Sequence, residues 1–203
     1  RHIRIGASVS VGTRLLPPLL AKLAEKDAQI TYEVTVDNTS KIEHMIENYS
    51  LDLGLVEGYV DNRNLVMKNV AEDALVLAMR AGHPLLKRET PDISALENYS
   101  FITREGGSSA RNQLELYLQE LGVHLTPNYS CSNIEAIKQA LLYTDGISVL
   151  SKMMIEQELR TGMLAVLPWE NLEFKRTIRL IYHKNKHISP AMETFLSLLE
   201  AKI

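Results

Sequence analysis

The reading of this chain turns on residues 3–23, Ile3-Arg4-Ile5-Gly6-Ala7-Ser8-Val9-Ser10-Val11-Gly12-Thr13-Arg14-Leu15-Leu16-Pro17-Pro18-Leu19-Leu20-Ala21-Lys22-Leu23. A short apolar run at residues 3–7 reads as a buried strand. A loop carrying Ser8 and Ser10 follows, and then Leu16, Leu19, Leu20 and Leu23 recur at the spacing of one helix face. Proline is tolerated only near the first turn of a helix, so Pro17 and Pro18 place the expected helix start near residues 13–15. Residues 30–36 alternate as a second strand. Ser40-Lys41-Ile42-Glu43 has the form of a capping box, Ser capping and Glu reaching back, with Ile42, Met45 and Ile46 as the apolar stripe behind it. Residues 51–56 read as a third strand, ending at Glu57-Gly58.

The second half replays this order. Residues 100–103 read as a strand, followed by the loop Arg104-Glu105-Gly106-Gly107-Ser108-Ser109 and a helix bearing Leu114, Tyr117, Leu118 and Leu121, with Gly122 as its stop. A strand ends at Tyr129-Ser130-Cys131, and Ser132-Asn133-Ile134-Glu135 is a second capping box ahead of Ile137 and Leu141. Residues 146–150 close the series as a strand. Residues 65–70 and 74–79 are consecutive extended segments interrupted at residues 71–73, residues 176–183 are a further strand, and residues 190–200 a last helix. Strands alternating with helices favour α/β architecture with mainly parallel sheets. The expected fold is two Rossmann-like lobes joined by two crossing strands. Lobe I takes residues 1–72 plus 177–203 and lobe II residues 75–174, with a ligand cleft between them.

Composition narrows the function. The chain has 203 residues, 22 Lys and Arg against 25 Asp and Glu, a net charge of −3 and one Cys. That balance argues against gripping DNA through this segment, because phosphate contacts need a cationic surplus. A single Cys makes neither an intrachain disulfide nor a Cys-rich zinc site. No apolar run has the length of a membrane span, and none resembles a signal peptide. A soluble protein of a reducing compartment is the expectation.

In open α/β sheets ligands sit beyond the carboxyl ends of strands, where helices begin. Four such loops, at residues 8–13, 37–40, 104–109 and 131–133, all carry hydroxyls. Free N–H groups and the positive end of the helix dipole there favour a small carboxylate, sulfate or phosphate. Each feature also has a purely structural reading: Ser40 and Ser132 as caps, Gly106-Gly107-Ser108-Ser109 as an ordinary loop lacking a P-loop Lys. Arg111 opposes the dipole of its own helix, which points to an anion or carboxylate partner, or simply to a surface Arg. Lone Cys131 reads as a small hydrophobe. His183 and His187 lie on a strand end and a turn and do not form a helical metal pair, and His83-Pro84 reads as a turn. Trp169 and Met153-Met154 read as packing residues. Neither Gly-x-Ser-x-Gly nor His-Glu-x-x-His occurs, so nothing requires an enzyme.

Gly6-Ala7-Ser8-Val9-Ser10-Val11-Gly12 with Leu15-Leu16-Pro17, Leu51-Asp52-Leu53-Gly54-Leu55-Val56-Glu57-Gly58 and Ala81-Gly82-His83-Pro84-Leu85 carry a family resemblance. So do residues 104–111, Ile134-Glu135-Ala136-Ile137-Lys138, Asp145-Gly146-Ile147-Ser148 and residues 158–164. In this order, over nearly the whole chain, they resemble the effector-binding domain of LysR-type transcriptional regulators. The resemblance implies a periplasmic-binding-protein type II-like fold, a small-molecule inducer in the inter-lobe cleft, and no catalytic residue, cofactor or metal. It also implies a winged helix-turn-helix ahead of Arg1, absent from this chain, through which alone DNA is contacted. The implied effector contacts are Ser8, Val9, Ser10, Val11, Thr39, Ser40, Glu57, Gly58, Gly107, Ser108, Ser132, Asn133 and Ile134. Where relatives often carry Thr-Thr or Ser-Thr, this chain has Val9-Ser10, one hydroxyl fewer, and Glu57 leaves the charge of the inducer open. The family also implies a cytoplasmic homodimer, or a tetramer at full length. In it the helix near residues 13–25 and the strand at 30–36 face the partner's elements at 110–121 and 128–131. A transporter's solute-binding protein and a two-lobed dehydratase with Glu57 as acid or base are the alternatives on the same fold.

Overall fold

Ile3, Ile5 and Ala7 are fully buried on one face of β1 (His2–Ala7), and the opposite face is kept thin by Gly6. A Cβ at Gly6 would lie 2.5 Å from Leu51 Cδ1 and 2.9 Å from Ile42 Cγ2, so only glycine lets the next layer approach this closely. The computed structural model describes residues 1–87, 92–168 and 174–202. The chain divides into unit 1, Arg1–Glu72 with Arg176–Ile203, and unit 2, Asp73–Lys175.

Unit 1 is built on β1. The parallel strands β2 (Thr31–Val36) and β3 (Leu53–Glu57) flank it, and β9 (Phe174–His183) runs antiparallel to β3. Leu16, Leu19, Leu20 and Leu23 of α1 (Leu16–Lys26) are buried, and α1 packs on α6 (Pro190–Lys202), whose Phe195 is wholly enclosed. Ile42 and Ile46 of α2 (Thr39–Glu47) join Leu51, Val56, Val60, Leu65 and Ile181 in a second cluster. Each such fully buried aliphatic side chain contributes about 1.5–3 kcal/mol. Asp52 ties the rim of the unit together. It accepts the Arg4 N–H at 2.7 Å and the Arg4 guanidinium at 3.0 Å, and it meets Lys186 Nζ at 2.6 Å. Burial pushes this carboxyl up, but the hydrogen bonds from Arg4 and Lys186 outweigh it and hold the group at about 2.

The helix after β1 starts earlier than the prolines indicate. Helical backbone begins at residue 9 and includes a π-helical turn at Val11–Leu15, closed by the Leu16 N–H on the Val11 carbonyl. Pro17 and Pro18 follow directly on that wider turn, at the start of α1 proper, where their missing donors are absorbed. β2 also departs from its alternating pattern. Tyr32, Val34 and Val36 share one face yet stand 38%, 38% and 44% exposed, because β2 is the edge strand of its sheet.

In unit 2 the second half of β4 (Leu65–Arg80) pairs antiparallel with β7 (Ser148–Ser151) and β8 (Leu164–Val166). β4 is a single 16-residue strand; the break expected at residues 71–73 does not occur. β5 (Phe101–Arg104) pairs parallel with β6 (Pro127–Cys131) and reaches Ile147 through a bridge at Phe101. Leu114 and Leu118 of α3 (Ser109–Leu121) fill one core beside Leu77, Met79 and Phe101. Gly122 ends α3 in the left-handed conformation, φ 68°, as the sequence indicates. Ile137 and Leu141 of α4 (Ile134–Tyr143) fill another core with Ile155 of α5 (Lys152–Arg160). α5 and β8 carry too few periodic apolar residues to be foreseen. His83 closes the turn expected there, its N–H donating to the Arg80 carbonyl at 3.2 Å, and its side chain is fully buried. Its Nδ1 accepts from the Leu85 N–H, its Nε2 donates to the Asp145 carbonyl at 2.7 Å, and its ring packs on Tyr99. Met154 is buried, while Trp169 lies outside the described residues.

Candidate functional site

In unit 1, β1 and β3 end side by side, and the backbone of Glu57 gathers the residues around it. The Glu57 N–H donates to Ser8 Oγ at 3.3 Å, and Thr39 Oγ1 donates to the Glu57 carbonyl at 3.0 Å. The Ser8 N–H is itself held by the Leu55 carbonyl at 3.0 Å. Both residues are only 6% exposed. Because Ser8 Oγ accepts from Glu57, its own proton is left to donate outward, whereas Thr39 has spent its proton and presents lone pairs.

These residues stand at two helix starts. The Ser8 carbonyl accepts the Gly12 N–H at 2.8 Å, and the Val9 carbonyl accepts Thr13 Oγ1 at 2.7 Å, so the chain coils at once after β1. Val9 is half-buried, Ser10 buried and Val11 wholly enclosed. In α2 the cap is Asn38, whose Oδ1 accepts the Lys41 N–H at 3.0 Å. The expected capping box is therefore corrected. Ser40 is already inside the helix and exposed, and Glu43 accepts from Asn62 instead of reaching back. Thr39 and Ser40 contribute first-turn N–H groups, which helix geometry leaves without an intrahelical acceptor. Ser40 lines a recess of about 490 Å³ with Asp37, Lys41, His44 and Met45.

Glu57 does not confront this site as a bare charge. Its carboxylate is completely buried, and Arg176 Nη1 lies 3.0 Å from Oε2. Gly58, at φ 91°, donates its N–H to the Thr177 carbonyl at 3.3 Å and accepts from Arg179 Nη1. Arg176 was not among the residues singled out from sequence, since 119 positions separate it from Glu57 and no motif links them. The available signal is parity: Arg176 falls in step with buried Ile178 and Leu180 along β9, so a cation there needs a buried partner.

Unit 2 places its candidates on two loops that leave adjacent strands, Arg104 and Cys131 being register partners. Gly107 takes φ 90°, and the Ser108 N–H donates to the Glu105 carbonyl at 3.2 Å, which buries Ser108 at the head of α3. Arg111 donates to Glu115 at 2.9 Å and to the Arg104 carbonyl at 3.2 Å, so its carboxylate partner is one turn along its own helix. At α4 the cap is Asn133, whose Oδ1 accepts the Ala136 N–H at 3.0 Å, and not Ser132. Ser132 and Asn133 are exposed, and Ile134 is buried. Cys131 is half-buried, its Sγ accepting the Asn133 N–H at 3.4 Å. Glu135 pairs with Lys138 at 2.9 Å instead of closing a capping box. Among the described residues, no group of three or more His, Cys, Asp or Glu side chains is placed to hold a metal ion. His183 Nδ1 accepts from the Asn185 N–H and meets Tyr49 OH, both at 3.1 Å. No described helix is long and apolar enough to cross a membrane.

Known proteins match this chain over its whole length. The LysR substrate binding domain family matches residues 1–203. The HTH-type transcriptional regulator CysL of Bacillus subtilis (strain 168) is 29% identical over 200 residues, covering 98% of this chain and 67% of CysL. The HTH-type transcriptional regulator YeiE of Escherichia coli (strain K12) is 30% identical over 194 residues, covering 96% of this chain and 66% of YeiE. The chain thus spans about two thirds of the length of these relatives. The regulatory domain of Synechocystis PCC6803 CcmR, solved in complex with 2-PG, superposes with a TM-score of 0.90 at 28% identity, covering 98% of this chain and 96% of that one.

Proposed function

The chain belongs to the LysR substrate binding domain family, and on that premise we propose that it senses a small anion, such as a phosphorylated or sulfated acid, for a transcription regulator. The observation that carries the reading is the pair of hydroxyls, Ser8 and Thr39, fixed at two helix starts on the N–H and the carbonyl of one residue, Glu57, whose buried carboxylate faces Arg176. Donors fixed in advance at helix N-termini favour anions without the cost of ordering them on binding. In this reading the first-turn residues Val9, Ser10, Val11 and Ser40 and the Glu57-Gly58 turn complete the contacts of unit 1, and Gly107, Ser108, Ser132, Asn133 and Ile134 are the contacts of unit 2. The CcmR regulatory domain, solved in complex with 2-PG, supports a small-molecule effector. The regulators among its relatives point away from transport or catalysis.

Regulation follows if the effector prefers one arrangement of the units, since only differential affinity moves such an equilibrium. DNA is then contacted by a helix-turn-helix outside this chain, in the cytoplasm. A homodimer fits the exposed edges. β2 presents Tyr32, Val34 and Val36, and unit 2 presents Leu116 and Leu121 on α3 with Tyr129 on the edge strand β6. Sedimentation of Val34→Lys should show monomer where the unaltered domain shows dimer; an unchanged dimer would remove these edges from the interface.

The effector reading is tested by thermal unfolding with 2-PG, phosphate and sulfate. A ligand at 100 times its Kd stabilises by about 2.7 kcal/mol, a rise of roughly 5–10 °C for a domain this size. Ser8→Ala should cut the affinity by about tenfold, the worth of one hydrogen bond to a charged group. An unchanged affinity in Ser8→Ala would overturn the assignment.

A further inference from the structure

We infer that Gly12 is a positioning residue of the effector site: its bare Cα, seated on Val36, sets where the first-turn N–H groups of residues 9–11 stand relative to the Ser8 and Thr39 hydroxyls. The inference rests on the reading of those hydroxyls and that turn as effector contacts. Ala7 and Val36 are register partners at the ends of β1 and β2, so their side chains share one face of the sheet. Gly12 lies directly on both. A Cβ there would come within 2.6 Å of Val36 Cγ2, 3.0 Å of Val36 Cγ1 and 3.2 Å of Ala7 Cβ. Backbone freedom does not explain the glycine. Gly12 lies in the helical stretch that opens at residue 9, and its φ is not in the left-handed region. Within a helix glycine is the least favourable residue after proline, so close approach is its use here.

One hydrogen bond passes that approach on to the site. The Gly12 N–H donates to the Ser8 carbonyl at 2.8 Å, the bond that opens the helix. On its other side Ser8 is pinned to β3, its N–H on the Leu55 carbonyl at 3.0 Å and its Oγ accepting the Glu57 N–H at 3.3 Å. The N–H groups of Val9, Ser10 and Val11 therefore lie between a fixed strand end and Gly12, and helix geometry gives them no acceptor of their own. Both Val36 methyls face Gly12, and a β-branched side chain is stiff at χ1, so an added Cβ moves the turn and not Val36. Lifting Gly12 off Val36 tilts the turn while Ser8 and Thr39 keep their places on Glu57. Donors that must converge on one small anion then fall out of step, and hydrogen bonds weaken steeply as they bend. A glycine needed only for packing behaves differently: a side chain there costs stability and leaves the affinity of the folded domain alone.

Titration calorimetry with 2-PG and with inorganic phosphate gives the test, on the unaltered domain, Gly12→Ala and the Gly12→Ala/Val36→Ala double variant, each checked by thermal unfolding to be folded. Gly12→Ala should bind the probes about tenfold more weakly. Removing the two Val36 methyls reopens the space beneath the added Cβ, so the double variant should return to within about threefold of the unaltered domain. The Ala7 contact at 3.2 Å accounts for the remainder. Where Gly12→Ala alone does not fold, the double variant carries the test. Unchanged affinity in folded Gly12→Ala, or a tenfold loss in the double variant, would overturn the inference. Failure of the unaltered domain to bind either probe, or unchanged affinity in Ser8→Ala, would instead overturn the site reading on which it stands. Weakened binding in Ser8→Ala beside full binding in Gly12→Ala would overturn the inference alone.

Discussion

The two units carry matching loops at matching places, but they treat them differently. In unit 1 the hydroxyls of Ser8 and Thr39 are buried and hydrogen-bonded to the same residue, and the charge beside them is paired out of water. In unit 2 Ser132 and Asn133 stand exposed at the head of α4, and a buried cation, Lys138, faces two carboxylates, Glu158 with its side chain 19% exposed and Glu135 at 68%. The hydroxyls of Ser8 and Thr39 are therefore fixed before any ligand arrives, whereas Ser132 and Asn133 stand open to solvent at the head of α4.

The largest effect that separates the units is the cost of breaking each buried charge set. Arg176→Met should lower unfolding stability by about 3–5 kcal/mol, because it removes the guanidinium that faces a buried carboxylate. Lys138→Met should cost less, about 1 kcal/mol, because the largely exposed Glu135 regains water. Chemical denaturation of the two variants measures both, and equal losses would erase the contrast.

An intermediate effect belongs to unit 1 alone. Asp52 is held at about 2, below the ordinary carboxyl value, by Arg4 and Lys186. Its contribution is complete above about pH 4 and disappears as the pH falls towards 2. Allowing for solvent at the rim, that contribution is about 1–2 kcal/mol. Asp52→Asn should flatten the acid limb of the stability curve by this amount; an unchanged limb would show that the site does not titrate as described.

The smallest effect concerns the caps. Asn38→Ala and Asn133→Ala should each cost about 1 kcal/mol, and Ser40→Ala almost nothing, measured by thermal unfolding.

The caps also show where sequence reading stops. Ser-x-x-Glu occurs at both helix starts, and so does the Asn that caps, two positions before Ser40 in α2 and one position after Ser132 in α4. The pattern alone does not decide between them, because the register of a first turn is set by how the preceding strand ends. The two-unit α/β order was legible because buried aliphatic residues recur at strand and helix periods over long stretches, as in Leu16 to Leu23. The hydroxyl loops were legible because they follow those strands. Arg176 was not, since its partner is remote in sequence. The π-turn ahead of Pro17 was not either, because local rules for proline assume α-helical geometry.

The most direct measurement of the central claim is an amide-resolved NMR titration of the domain with 2-PG. Preorganised anion contacts in unit 1 predict the largest saturable shifts at residues 8–11, 39–40 and 57–58, with smaller ones at Ser132 and Asn133. Shifts concentrated away from these residues, for instance around the recess formed by Lys68, Leu180 and Leu196, would contradict it.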